Sequence, residues 1–251
     1  MATTQRRRAA QIPGSGRSAR ALSHAAENYL LSLAILHEDG IAPHVGQLAS
    51  YLRHIPLEEG LGTTMASVSG MVHRMAREGL VEVNRSKEVE LTPEGELIAR
   101  DVVRRHRLAE RLLVDVLDVP IERAEIEAHR LEHAISPALL KRIEEKLGYP
   151  KTCPYGRPIY GVGEERLRKD NPGTLRLSET EAGGIYTIVQ IPDEDFPLLR
   201  YMVENRVLPG QPIEVVDNAP YRGVVDLRRE GVPVSIGVDV AQRIRVKPRE
   251  R

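Results

Sequence analysis

Histidines and carboxylates recur at helical spacing in two neighbouring stretches of the chain. One stretch carries a pair four residues apart, and the other carries four such residues spaced by four, three and one; the six are His106, Glu110, Glu125, His129, Glu132 and His133. At about 100° per residue, the second group fills a sector of roughly 100° on one helix face. Two such helices packed together would bring imidazole nitrogens and carboxylate oxygens into one pocket. This donor set suits a divalent first-row metal ion.

Other interpretations of the same residues stay open. A polar helix face with hydrogen-bonded histidines would show the same spacing. His106 and Glu110 do not form the His-Glu-x-x-His arrangement of zinc proteases. Cys153 stands in a Pro-rich segment with no obvious base beside it in sequence. We therefore expect no enzyme and no small organic substrate, and a metal-dependent hydrolase or a metal-storage module is the alternative from another class.

The elements around these residues are mostly helical up to about Gly148. Apolar spacing predicts a first helix that ends at Asp39-Gly40, a second over Val45–Leu52 and a third over Ser67–Glu78. Valines on both sides of a polar turn then predict a two-stranded hairpin, and Thr92-Pro93 predicts the start of the next helix. Three helices followed by a hairpin are typical of a winged helix-turn-helix, whose third helix enters the DNA major groove.

Candidate DNA contacts lie at the third helix and at the tip of the hairpin. Short hydroxyls stand near the start of the helix and cations stand at the tip; they are Thr63, Thr64, Ser67, Ser69, Arg85 and Lys87. Such groups can reach phosphates or base edges. The plainer interpretation is that hydroxyls cap helices and that exposed charges are solvated. Residues 53–62 are too long for a tight turn and add Glu58 and Glu59 near the expected phosphates.

Composition excludes several classes of protein. The 251 residues hold 36 Lys+Arg and 36 Asp+Glu, so net charge alone favours neither nucleic acid nor a membrane. A single cysteine excludes an internal disulfide framework and a Cys-cluster zinc finger. No apolar run approaches the roughly 20 residues that span a bilayer, and no apolar region follows the basic N-terminus. The sequence therefore predicts a soluble cytoplasmic protein with no membrane partner.

Changes of composition divide the chain into five parts. Residues 1–20 carry arginines and no acid, which predicts a disordered tail that either aids solubility or touches phosphates. Residues 21–98 hold the predicted winged helix, and residues 99–150 hold further helices with the candidate metal ligands. Residues 151–174 are rich in Pro and Gly, as in a linker or a docking segment. Residues 175–251 show short β runs that suit a small barrel.

Three segments resemble the diphtheria toxin repressor family of iron- or manganese-dependent transcriptional repressors. They are RHRLAERLL at 105–113, EAHRLEH at 127–133 and CPYGRPI at 153–159, and the resemblance runs from about Ala26 to Pro248. It implies a mainly α fold with a small β part: a winged-helix DNA-binding domain, a helical metal-binding and dimerisation domain, and a C-terminal SH3-like β-barrel. It also implies a homodimer on double-stranded operator DNA.

The resemblance also implies roles for individual residues. His106 and Glu110 match auxiliary-site ligands, and Glu125 falls where the iron branch has a further auxiliary His. Glu132 and His133 match primary-site ligands, and His129 falls at the primary position that is Cys in the iron branch and Glu in the manganese branch. Four further candidates are Asn28, where the first helix supplies Met or Asp; His24, one turn earlier; and Gln190 and Cys153 for the auxiliary site.

The expected metal is Mn²⁺ or Fe²⁺, with Zn²⁺ and Co²⁺ open. His129 stands at the primary position that is Cys in the iron branch, and the loss of that thiol argues against a preference for softer metals. A metal that joins the first helix to the later ligands would fix the angle between them. In a dimer the recognition helices would then sit about 34 Å apart, as successive major grooves require. The runner-up is a winged-helix regulator that responds to a non-metal signal and uses the His/Glu face only for structure.

Overall fold

The computed structural model describes residues 22–55, 60–161, 173–193 and 195–249. The predicted basic tail at 1–20, the acids Glu58 and Glu59, and residues 162–172 of the Pro-rich segment lie outside these ranges.

Three helices and a hairpin, here called the N-terminal unit (residues 22–91), follow the predicted order. They are α1 (His24–Glu38), α2 (Val45–Tyr51), α3 (Met65–Arg77), β1 (Val81–Val83) and β2 (Val89–Leu91). The hairpin is antiparallel, with Val81 opposite Leu91. Thr64 begins α3 as its N-cap, since its hydroxyl accepts from the Ser67 N–H. Leucines of α1 and the inner faces of α2 and α3 share one core.

Helix α4 (Pro93–Asp115) is 23 residues long and connects two hydrophobic cores. Its first half packs into the core of the N-terminal unit, and its second half packs with α5 (Ile121–Glu132) and α6 (Pro137–Lys146). The predicted domain boundary at 98/99 therefore falls inside one continuous helix. Thr92 caps α4 by accepting from the Gly95 N–H at 3.0 Å. At Gly95 a Cβ would lie 1.8 Å from the Leu80 carbonyl oxygen, so the helix passes directly over the backbone of the N-terminal unit.

A six-stranded antiparallel sheet forms the last part, here called the sheet domain (residues 175–248). Its elements are β3 (Leu175–Arg176), β4 (Ile185–Gln190), α7 (Phe196–Glu204), β5 (Pro212–Ala219), β6 (Val224–Arg229), β7 (Val232–Gly237), α8 (Val238–Ala241) and β8 (Arg245–Pro248). The strand order is β3-β8-β4-β5-β6-β7, with register shifts in β4 and β5.

The expected SH3-like barrel is not closed by strand pairing in the ranges that the structure covers. The outer strands are β3 and β7, and each pairs on one side alone. β3 contributes two residues, both of which pair with β8, and no ladder links β3 to β7 in these ranges. The fold is therefore a helical N-terminal part followed by a C-terminal sheet domain. Among the described helices, none combines the length and apolarity that a membrane crossing requires.

Candidate metal centre

Helices α4 and α5 face each other through the predicted histidines and carboxylates. His106 Nδ1 lies 2.6 Å from Glu132 Oε2, and His106 Nε2 lies 3.0 Å from Glu110 Oε1. His129 Nε2 lies 2.9 Å from Glu125 Oε1, and the His106 and His129 rings are 4.7 Å apart between centroids. The histidines and carboxylates that helical spacing singled out on α4 and α5 therefore form one compact group of side chains.

Three of these side chains could hold one ion between them. His106, Glu125 and His129 each offer a ligand atom within 4.8 Å of the others. Glu132 lies beneath them with no exposed surface, and both histidines are almost as deeply buried. We refer to His106, Glu110, Glu125, His129, Glu132 and His133 as the His/Glu cluster.

Several polar atoms of the His/Glu cluster are buried without a hydrogen bond. In the part of the chain that the structure describes, they include Glu132 Oε1 and His129 Nδ1, while Glu110 Oε1 has His106 Nε2 as its neighbour at 3.0 Å. A buried polar atom left this way costs about 1–3 kcal/mol. A divalent cation accepts nitrogen and oxygen donors of this kind, so the residues fit such an ion.

The electrostatics of the metal-free cluster favour protonated histidines. Burial lowers the pKa of His106, but the carboxylates of Glu110 and Glu132 outweigh it and raise the pKa well above the usual value. Burial also lowers the pKa of His129, but the Glu125 carboxylate outweighs this effect, and the net shift of the pKa is upward. Protons thus balance the buried carboxylates in the absence of a cation, and a bound cation would replace them.

His133, at the C-terminal end of α5, connects the cluster to the N-terminal unit. Its Nδ1 lies 2.6 Å from Glu27 Oε2, and its Nε2 lies 3.5 Å from Glu132 Oε1. Arg105 donates to Glu27 Oε1 at 2.7 Å. Burial raises the pKa of Glu27, but its hydrogen bonds with His133 and Arg105 outweigh burial, and the net shift of the pKa is downward. The ionised carboxylate of α1 therefore holds the imidazole from the side opposite Glu132.

Glu27 was missed in the sequence analysis. It lies in the first turn of α1, where an acid is also favoured by the helix dipole. The available signal was that Glu27 stands three residues after the candidate His24, on the same face of the helix.

Asn28 and His24 both lie against His133. The Asn28 amide nitrogen is 3.2 Å from His133 Nε2 and donates to the His24 carbonyl oxygen at 3.1 Å. The His24 ring is exposed and stacks on the His133 ring at 4.4 Å between centroids. Asn28 is thus buried at the cluster edge, while the His24 side chain covers the outer face of His133.

Cys153 and Gln190 differ in their relation to the cluster. Cys153 is fully buried beside Glu110; burial raises the pKa of the thiol, and the Glu110 carboxylate raises it further. Gln190 ends β4 opposite Arg245, and over the described ranges no hydrogen bond or ion pair links its side chain to the cluster. The Gln190 Cα lies beside Gly156, three residues after Cys153, since a Cβ built on Gly156 would be 2.9 Å from it.

The candidate DNA contacts lie at the surface of the N-terminal unit. Thr64 and Ser67 are exposed, with their hydroxyl oxygens 2.9 Å apart, while Thr63 and Ser69 are half-buried. The Thr64 hydroxyl also caps the start of α3, in line with the capping interpretation. Arg85 and Lys87 are both exposed in the turn of the hairpin.

Comparison with known proteins covers both halves of the described chain. Residues 92–161 match a family described as iron dependent repressor, metal binding and dimerisation domain, and residues 175–248 match the FeoA domain. The diphtheria toxin repressor of Corynebacterium glutamicum is 33% identical over 228 residues, which are 88% of this chain and 95% of the relative. The iron-dependent repressor IdeR of Mycobacterium tuberculosis is 33% identical over 231 residues, 88% of this chain and 96% of the relative.

Solved structures show the same likeness. A manganese-dependent transcriptional repressor in complex with manganese superposes with a TM-score of 0.77 at 28% identity, over 89% of this chain and 100% of the other. ScaR with bound Zn²⁺ superposes with a TM-score of 0.74 at 26% identity, over 88% of this chain and 98% of the other. With one third of its residues identical to the repressors over most of both lengths, the chain belongs to the diphtheria toxin repressor family of metal-dependent transcriptional regulators.

Proposed function

We propose that this protein is a divalent-metal-dependent transcriptional repressor that binds operator DNA as a homodimer and controls metal homeostasis. The observation that carries the proposal is the bond between the His/Glu cluster and α1. His133 belongs to the cluster, and its Nδ1 lies 2.6 Å from a carboxylate of the N-terminal unit. A change in the charge of the cluster therefore acts directly on the element that precedes the candidate DNA-reading helix α3.

The domain roles follow the family. We assign residues 21–98 to a winged helix-turn-helix, residues 99–150 to metal binding and dimerisation, and residues 175–251 to an SH3-like domain. The register shifts in β4 and β5 support the last assignment, because bulges bend a sheet towards a barrel. The docking segment 151–161 contributes Cys153 and Tyr155, both fully buried, between these parts. We place the protein in the cytoplasm with its DNA.

The residues that would hold the metal form two groups within the cluster. We assign His106, Glu110 and Glu125 to the auxiliary site and His129, Glu132 and His133 to the primary site, and the two sites adjoin at His129, which lies within 4.8 Å of His106 and Glu125. A bound divalent cation supplies positive charge that balances the buried carboxylates in place of protons. Nitrogen and oxygen donors without a thiolate favour Mn²⁺ or Fe²⁺, while Zn²⁺ and Co²⁺ accept the same set.

The chain's own residues then turn metal occupancy into a DNA-binding geometry. Glu132 lies between the two groups, since one of its oxygens faces His106 and the other faces His129 and His133. Glu27 joins His133 to α1 and so to the N-terminal unit. In a dimer, the orientation of two such units sets the spacing of the recognition helices, which must be about 34 Å. By linkage, operator DNA must tighten metal binding by the same factor by which metal tightens DNA binding.

A selection from a random duplex library in Mn²⁺, followed by gel shift of the enriched duplex, tests the proposal. We expect tight binding in Mn²⁺ or anaerobic Fe²⁺ and a large loss in chelator. Glu132→Gln removes the central buried charge, and Glu127→Gln makes the same change on the surface of the same helix, where Glu127 pairs with Arg130. The first variant should lose the metal response and the second should keep it. Equal affinity of the unmodified protein in Mn²⁺ and in chelator would overturn the proposal.

A further inference from the structure

The C-terminal end of α1 lies in a second cluster of charges, away from the His/Glu cluster. Arg107 of α4 donates to both carboxylate oxygens of Glu38. Arg157 donates to both carboxylate oxygens of Asp39, at 3.0 and 3.2 Å. Arg157 Nε also donates to Asp193 Oδ2, at 2.8 Å. One guanidinium therefore bridges the N-terminal unit and the segment that follows β4 of the sheet domain.

The backbone that carries Arg157 is fastened to the sheet domain. The Ile191 N–H donates to the Tyr155 carbonyl oxygen at 2.9 Å. At Gly156, with φ of +89°, a Cβ would lie 1.8 Å from the Val189 carbonyl oxygen, so the turn presses directly on β4. The turn and the sheet domain thus form one body, and the Arg157 side chain reaches out of it to α1.

The Arg157–Asp193 arm of the bridge is buried, the Asp39 arm is partly exposed, and the geometry of the bridge is specific. The Arg157 side chain is 3% exposed and that of Asp193 is 7% exposed. A planar guanidinium presents paired donors at fixed angles, and each carboxylate takes a different edge of it. A lysine would keep the charge but lose this fork, since an ammonium group is a point charge on a flexible stem. Such a bridge fixes direction as well as distance.

The two ends of α1 are therefore held by different means. Glu27 meets the His/Glu cluster through His133, and Asp39, about 18 Å further along the helix axis, meets Arg157. We propose that Arg157 is a positioning residue that fixes the orientation of the N-terminal unit relative to the sheet domain without any metal. The C-terminal end of α1 is then a pivot, and metal-dependent movement is confined to its other end.

The distance between the two bodies in metal-free protein tests the proposal. Spin labels at Val83→Cys and Val232→Cys mark the hairpin and the outer strand β7, where these side chains are 48% and 58% exposed. Cys153 is fully buried and escapes the label. Excess unlabelled protein restricts the signal to pairs within one protomer. Double electron–electron resonance in chelator then gives the width of the distance distribution.

Three variants each remove part of the contact between Arg157 and its carboxylates. A fourth variant, the control, breaks an ion pair on α6. Asp39→Asn removes the α1 arm, Asp193→Asn removes the sheet-domain arm, and Arg157→Lys keeps the charge without the fork. We expect each to widen the distribution by at least about twofold, because the N-terminal unit then samples further orientations relative to the sheet domain. Glu145→Gln, which breaks an exposed pair with Arg142, should leave the width unchanged.

The control for folding is the far-UV circular dichroism spectrum of each labelled variant. Asp39→Asn is the mildest change, since the Asp39 side chain is partly exposed. Unchanged widths in folded Asp39→Asn and Asp193→Asn would overturn the proposal, as would equal widening in Glu145→Gln. Because the measurement contains neither metal nor DNA, its failure would leave the proposed repressor function untouched.

Discussion

Glu27 and His133 face each other across the interface between α1 and α5, with 2.6 Å between Oε2 and Nδ1. A carboxylate at this distance accepts the Nδ1 proton, which leaves Nε2 as the ring nitrogen that faces Glu132, at 3.5 Å from Oε1. The residue that orients this candidate ligand therefore belongs to the N-terminal unit, while the ligand belongs to the body of the molecule.

Glu27→Gln should weaken Mn²⁺ binding by about 10–100-fold, the usual cost of losing a partner behind a metal ligand. The variant keeps the shape of the side chain and removes the charge that holds His133. Isothermal titration of Mn²⁺ without DNA measures the effect, and His133→Ala should show a larger loss. Glu127→Gln on the surface of α5 is the control, and unchanged affinity in Glu27→Gln would show that the contact has no part in binding.

Metal-free protein should lose stability as the pH rises above about 6.5, the model value for histidine. The net pKa of His106 is raised, so its protonated form stabilises the fold below that pH and the stabilisation disappears as pH rises through the folded-state value. Melting temperatures in chelator across this range measure the slope. His106→Gln should flatten it, whereas an identical slope in both proteins would contradict the assignment.

Mn²⁺ affinity should follow the opposite trend over the same range. Because the pKa values of His106 and His129 are raised, both side chains stay protonated to a higher pH than a free imidazole. A cation must displace these protons to bind. Affinity should therefore keep increasing above about pH 6.5 instead of levelling off there. Titrations in buffers of different ionisation enthalpy would show the released protons, and a flat profile above that pH would count against the shift.

Arg85→Ala combined with Lys87→Ala should reduce the salt dependence of DNA binding. If both cations meet phosphates, the slope of log affinity against log salt concentration falls in magnitude by about 2. Arg142→Ala removes an exposed cation on α6 and should leave the slope unchanged. Fluorescence anisotropy over a salt series gives the slopes, and equal values for the double variant and the unmodified protein would remove the hairpin tip from the interface.

Two helical glycines should respond to alanine in opposite directions. Gly70 in α3 has open space around a built Cβ, so Gly70→Ala should stabilise the fold by about 0.5–1 kcal/mol. Gly95 in α4 would place its Cβ 1.8 Å from the Leu80 carbonyl oxygen, so Gly95→Ala should destabilise by about 1–3 kcal/mol. Urea denaturation compares the two, and a neutral Gly95→Ala would mean that α4 shifts freely over the hairpin.

Much of the site could be predicted from sequence because the residues concerned follow local rules of helix structure. Glu125, His129 and Glu132 share a face of α5 through helical periodicity, and Thr64 and Thr92 mark helix starts through side-chain capping. These relations span a few residues, so spacing alone reveals them.

The remaining contacts join residues far apart in the chain, and no local pattern encodes such pairs. Glu27 and His133 are 106 positions apart, and Arg157 and Asp39 are 118 apart. The open edges of the sheet domain have a similar origin, since closure depends on how two distant strands meet.

The hydroxyl of Tyr155 completes the beginning of α5. The N-cap residue of α5, Pro120, provides no side-chain hydrogen bond to the helix. The Tyr155 hydroxyl instead donates to the Ile121 carbonyl oxygen and accepts from the Glu125 N–H. A nascent chain that has emerged only as far as α6 therefore lacks the group that finishes the first turn beneath a candidate ligand. The smallest fragment able to build the whole site extends past Tyr155.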